Sequence, residues 1–131
     1  MTRQRYGAWR RLAVLAVLVW AIAVAWGSLT PAAEMPRHLP WDKFNHVVGY
    51  AGLTLWLGLA VRRWAWARAW LIALVFGLVI EYLQLRVPGR AGGDWEDILA
   101  NALGATVAAL LGARIRRCRR RRAAATATDM P

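Results

Sequence analysis

Asp42, Lys43, His46 and Tyr50 open one apolar stretch of the chain. On a helix turning roughly 100° per residue, Asp42, His46 and Tyr50 stand at roughly 0°, 40° and 80°, with Lys43 near 100°. One stripe thus bears a carboxylate, an ammonium, an imidazole and a phenol, a set able to hold a polar ligand or to move a proton. Two plainer roles compete. Asp42 precedes the apolar run, where an N-cap sits and the helix dipole favours negative charge. A lone histidine at membrane depth more often hydrogen-bonds a neighbouring helix than ligates anything.

A second group lies further along. Glu81 and Gln84, three residues apart, share a helix face, and Glu81 falls roughly 20 Å along a helix that starts near Arg68. A carboxylate there is costly unless protonated, paired or facing a wet cavity, so it marks a functional position; Lys43 and Arg90 are the available cations. The next loop holds Pro88, Gly89, Gly92 and Gly93, suited to tight turning, with Arg90 among them. Arg90 could clamp a carboxylate or phosphate with two donors, or pair with Asp94 or Asp97. Lastly, Asp97, Asn101, Gly104, Ala105, Ala108 and Gly112 form a stripe that is polar at one end and small below. Small residues let helices approach closely, whereas Asp97 and Asn101 need another reason. All of these polar residues fall at one end of their segments, which favours a single site.

The elements that must position them are helices in a membrane. The chain has 131 residues, 59% hydrophobic, yet carries a formal charge of +11, and its mean hydropathy is +0.31. Soluble domains rarely combine these, so apolar and basic blocks must be segregated. The arginines sit in short clusters between apolar runs, not over a basic face, which argues against nucleic-acid binding. Cys118 is the single cysteine, so no intramolecular disulfide exists. Crossing a bilayer takes roughly 20 helical residues. Four segments approach that: Leu12 to Leu29, Phe44 to Val61, Ala65 to Leu85, and the shorter Ile98 to Ala113. Short connections make neighbours antiparallel.

Fourteen arginines lie beside one set of helix ends, against Arg37, Lys43, Arg86 and Arg90 at the other, so both termini are expected in the cytoplasm. Trp9, Trp41, Trp64, Trp66 and Trp95 fall near expected helix ends, where an indole suits the headgroup level. The expectation is an all-α, antiparallel four-helix transmembrane bundle. It comprises a basic N-terminus over residues 1–11, a four-helix domain over 12–113, and an Arg-rich, partly disordered tail over 114–131. The basic start of helix one and its residues Ala21, Ala23 and Ala25 also suit a signal peptide, although its 18-residue apolar run exceeds the usual signal core.

The polar residues, in order, resemble the signature of the VanZ-like family of small bacterial membrane proteins. The match runs Asp42-Lys43-x-x-His46-x-x-x-Tyr50, then Glu81-x-x-Gln84-x-x-x-Pro88-Gly89-Arg90, then Asp97-x-x-x-Asn101-x-x-Gly104-Ala105. It covers about Pro40 to Gly112. Asp94 and Glu96 crowd the third part, and the spacing to Asn101 favours Asp97 as the motif acid. The resemblance implies a multi-pass protein of the bacterial cytoplasmic membrane and a possible link to glycopeptide resistance, and it implies location and site more firmly than a reaction.

Three functions compete. The preferred one is binding of an extracytoplasmic envelope ligand by Asp42, Lys43, His46, Tyr50, Glu81, Gln84, Arg90, Asp97 and Asn101. The ligand would be a cell-wall precursor, a lipid headgroup or a glycopeptide, with Trp41 packing on it. The second is an intramembrane enzyme on envelope lipids, with His46 and Glu81 as acid and base; no nucleophile motif accompanies them. The third is a structural network that locks the helices or scaffolds a partner. A metal site of Asp42, His46, Glu81 and Asp97 would suit manganese or magnesium better than zinc, but the sequence reading favours no metal and no cofactor. A proton-coupled exporter would want an ionisable residue at midplane, and Glu81 sits too near one face. Membrane lipids are the expected partners; partner proteins are not legible.

Overall fold

The computed structural model of the chain describes residues 3–34, 42–61, 65–90 and 92–128. Four helices account for nearly all of them: α1 (Arg3–Leu29), α2 (Asp42–Ala60), α3 (Ala65–Gln84) and α4 (Trp95–Thr128), with one short 3-10 turn at Ala32–Glu34. No strand occurs among the described residues. The all-α, four-helix expectation holds.

Side-chain contacts give the topology. Lys43 at the start of α2 meets Asp97 at the start of α4, while Gln84 and Arg90, at and beyond the end of α3, meet Ser28, Gly27 and Thr30 around the end of α1. The four helices therefore run up, down, up, down, and one end of the bundle gathers the polar residues singled out from the sequence whose side chains are described. The arginines of α4 lie at the other end. Helix α2 is the centre: it packs most extensively on α4 and also touches α1 and α3.

What faces outward is apolar. Trp26 is 75% exposed and Val19, Ile22, Leu71, Leu78, Leu103 and Leu110 are also exposed, while the interior is built from Ala69, Ala73, Ala105, Tyr50 and Thr54. Water would penalise so large an apolar surface, whereas hydrocarbon accepts it and leaves close packing of small residues to hold the helices. Gly104 shows how close. A Cβ there would sit 2.1 Å from the Val47 carbonyl oxygen, so α4 meets the backbone of α2 directly. The stripe from Asp97 to Gly112 is buried along its length, as its spacing implied.

Gly7–Leu29, Ala65–Gln84 and Trp95–Thr126 are long and apolar enough to cross a membrane. Helix α2 is not among them, because Lys43, Asn45 and His46 crowd its first turns. It forms nonetheless as a helix wrapped by the others. The expected boundary at Ala113 is no helix end: α4 continues through residues 114–128, so that part of the tail is helical. Alanine and arginine are among the best helix formers, and no glycine or proline intervenes between Gly112 and Pro131.

Among the tryptophans, Trp9 and Trp95 are exposed near helix starts. Trp66 instead lies over Gly58 and Gly112, where its ring fills the space a Cβ would need. Trp41 and Trp64, like Arg37, Arg62 and Arg63, lie outside the described residues.

Candidate functional site

Helix α4 begins with its own cap. Asp94 Oδ1 accepts the Glu96 amide at 2.9 Å, and the Asp94 carbonyl takes the Ile98 amide at 3.1 Å. This starts the helix so that Asp97, in its first turn, points inward, and Asn101 follows one turn later on the same face. Both are buried, at 5% and 2% exposure.

Helix α2 supplies the facing side. Lys43 Nζ donates to Asp94 Oδ2 at 2.9 Å and to Asp97 Oδ1, with Glu96 Oε2 3.5 Å away. Three carboxylates thus surround one ammonium. The hydrogen bond to Asp97 first, and that to Asp94 with it, hold Lys43 protonated well above the usual lysine range. Asp94 in turn is held below the usual carboxylate range, by the Lys43 hydrogen bond first and the Glu96 amide second.

One turn on, His46 lies between the carboxylates and the amide. Its Nδ1 is 2.9 Å from Asn101 Oδ1 and its Nε2 is 3.5 Å from Asp97 Oδ2. Another turn on, Tyr50 is fully buried, its ring nearly parallel to His46 with centroids 6.5 Å apart, and Phe76 tilts against it. Gly77 makes that possible, since a Cβ there would come 3.0 Å from the Tyr50 ring.

Helix α3 brings Glu81 and Gln84, each 2% exposed. Glu81 Oε2 accepts the Gly93 amide at 3.1 Å. Gly93 has a φ of +75°, in the left-handed region, and a Cβ on Gly92 would fall 2.4 Å from the Leu85 nitrogen. The glycines let the loop fold back on the end of α3 and aim an amide at Glu81. Gln84 Nε2 donates to the Ser28 carbonyl at 2.9 Å.

Among the described residues, Arg90 clamps backbone carbonyls and no carboxylate. Its Nε donates to the Thr30 carbonyl and its Nη2 to the Gly27 carbonyl, both at 2.7 Å. The last carbonyls of a helix lack intrahelical donors, and Arg90 and Gln84 supply them for α1 from across the bundle. It is Lys43 that takes Asp94 and Asp97.

The structure thus brings Lys43, His46, Tyr50, Glu81, Gln84, Asp97 and Asn101 to one end of the bundle, with Arg90 at its rim. The side chain of Asp42, the first residue of α2, lies outside the described residues. Asp94 is the residue that sequence reasoning undervalued; its place just before a helix, three residues ahead of another acid, is a capping signal. One ligand atom from each of His46, Glu81 and Asp97 lies within 4.8 Å of the others. Several buried polar atoms beside them have no hydrogen-bond partner: Tyr50 Oη, Thr54 Oγ1, Glu81 Oε1, Gln84 Oε1 and Asn101 Nδ2.

A cavity of about 330 Å³ adjoins this cluster between α1 and α2. Trp20, Ala23, Val24 and Val48 form its apolar wall; Ser28, Asn45, His46 and Arg90 form its polar end. Trp20 Nε1 donates to the Gly49 carbonyl at 2.8 Å and pins the two helices beside it.

The fold and the cluster together define a small helical membrane protein with a buried polar site at one end of the bundle. The VanZ/LLP1 family model matches residues 12–116, and the chain belongs to that family. No curated protein and no solved structure matches the chain.

Proposed function

We propose that this VanZ-family protein binds a membrane amphiphile of the cell envelope, a lipid or a lipid-linked wall precursor. The headgroup would meet His46 and Asn45, and a chain would lie along Trp20, Val24 and Val48. The supporting observation is the cavity between α1 and α2, apolar along its wall and polar where it reaches His46. Arg90 and Lys43 hold internal partners, so capture of an anion by either would have to displace a protein hydrogen bond.

The protein would be a multi-pass component of the bacterial cytoplasmic membrane. Its arginine-rich ends would face the cytoplasm and its polar site the outside, as the distribution of Lys and Arg favours. A part in glycopeptide resistance would follow if the ligand is a wall precursor, and altered teicoplanin susceptibility on expression would bear on it.

Native mass spectrometry of the purified protein tests the binding. The wild type is expected to carry an amphiphile that Ala23→Trp, which fills the cavity away from the polar cluster, excludes. Equal occupancy in both would overturn the reading. The closeness of His46, Glu81 and Asp97 favours a second reading, acid/base chemistry on that lipid. Headgroup turnover that survives His46→Ala would dispose of it.

A further inference from the structure

Glu81 poses a problem that its protein contacts do not solve. It is 2% exposed, one oxygen accepts the Gly93 amide, and the other has no hydrogen-bond partner. A buried carboxylate in that state needs a proton or a cation. Asp97, also buried, has one oxygen occupied by Lys43 and turns the other toward His46.

The imidazole is oriented to complete a cation site. Asn101 Oδ1, an amide oxygen, can only accept, so His46 Nδ1 carries the hydrogen across their 2.9 Å contact. In the neutral ring this leaves the Nε2 lone pair on the side of Asp97 Oδ2, 3.5 Å away. Histidines that bind metals have this arrangement, one nitrogen on the ion and the other donating to a carbonyl or carboxylate. Lys43 plays the matching part for Asp97.

Charge agrees, and distance comes close. Oxygen and nitrogen ligands roughly 2.0–2.2 Å from a small divalent ion lie within about 4.4 Å of one another; one ligand atom from each of His46, Glu81 and Asp97 lies within 4.8 Å of the others, so the side chains need draw in only slightly around an ion. Glu81 and Asp97 together bring two negative charges, while the Lys43 charge is already shared with Asp94. A dication beside a neutral His46 would balance them.

We propose that His46, Glu81 and Asp97 bind a divalent first-row metal ion, with Asn101 and Lys43 positioning two of the three ligands. Two carboxylates and one imidazole form a mixed hard and borderline donor set, which suits Mn(II) and Zn(II). The site departs from the metal-free expectation drawn from the sequence. It does not rest on the amphiphile reading, because the metal is titrated in detergent without added lipid.

The test is titration of the purified full-length chain with Mn(II), following loss of the free-ion paramagnetic resonance signal, then displacement by Zn(II). The wild type is expected to take up about one ion per chain. Glu81→Gln and Asp97→Asn should each weaken binding at least tenfold, and Asn101→Ala, which keeps all three ligands, by about 10- to 100-fold. Glu34→Gln, at an exposed acid of the 3-10 turn outside the cluster, should bind as the wild type does. A wild type that takes up neither ion overturns the proposal whatever the variants do. So does wild-type affinity in Glu81→Gln whose helical circular dichroism is unchanged.

Discussion

The guanidinium of Arg90 hydrogen-bonds to the carbonyl of Gly27 at 2.7 Å, joining the loop after α3 to the end of α1. Its Nε holds Thr30 in the same way. An arginine placed where it could bind a ligand therefore ties the first helix to the rest of the bundle, and among the described residues the α1 backbone makes no close approach to α4.

Arg90→Ala should loosen that attachment. Hydrogen bonds from charged donors contribute roughly 1.5–3 kcal/mol, so a loss of about that size is expected in unfolding from detergent micelles. Arg90→Lys, with one point donor in place of the planar fork, should fall between. Wild-type stability in Arg90→Ala would show that the contact holds nothing.

Lys43 should be needed because of what it neutralises. Breaking a buried ion pair from one side costs roughly 3–5 kcal/mol, since a buried charge is left behind. Lys43→Met is expected to destabilise toward the lower part of that range, because the lysine itself is partly exposed. Adding Asp97→Asn should recover part of the loss, and a double-mutant cycle measures the coupling. Strictly additive losses would contradict the pairing.

Gly104→Ala should separate α2 from α4. The added methyl would collide with the Val47 carbonyl, and overpacking of this kind costs roughly 1–3 kcal/mol. Gly7→Ala, where nothing lies within 4 Å, should instead be neutral or slightly stabilising, because alanine favours helix over glycine. Thermal unfolding of the two variants side by side checks the contrast.

The Lys43 cluster also sets a pH window. Asp94 has its carboxyl lowered from 3.8 by Lys43 and the Glu96 amide. Its contribution is fully present above the unfolded value of 3.8 and is lost as pH falls through the lower folded value. Lys43 is shifted upward from 10.5. Its contribution is complete below 10.5 and fades only as pH rises through the higher folded value. Stability from these groups should therefore be level across neutral pH and fall at both extremes. In Asp94→Asn the acid limb should shrink; an unchanged limb would assign it to other groups.

Much of this protein was legible in its residue order. Apolar runs bounded by arginines dictate helices long and apolar enough to cross a membrane, because an unpaired backbone cannot be left in hydrocarbon. Helical periodicity put Lys43, His46 and Tyr50 on one face, and Asp97, Asn101 and Gly104 on another. Which face meets which, however, is a matter of packing. Periodicity says where a side chain points around its own axis and nothing about the neighbour it finds there. Only the assembled bundle gave Asp97 to Lys43 and the α1 carbonyls to Arg90, and brought Glu81 beside His46. Those choices depend on a few ångströms between helices far apart in sequence, and close contacts such as Gly104 against Val47 decide them.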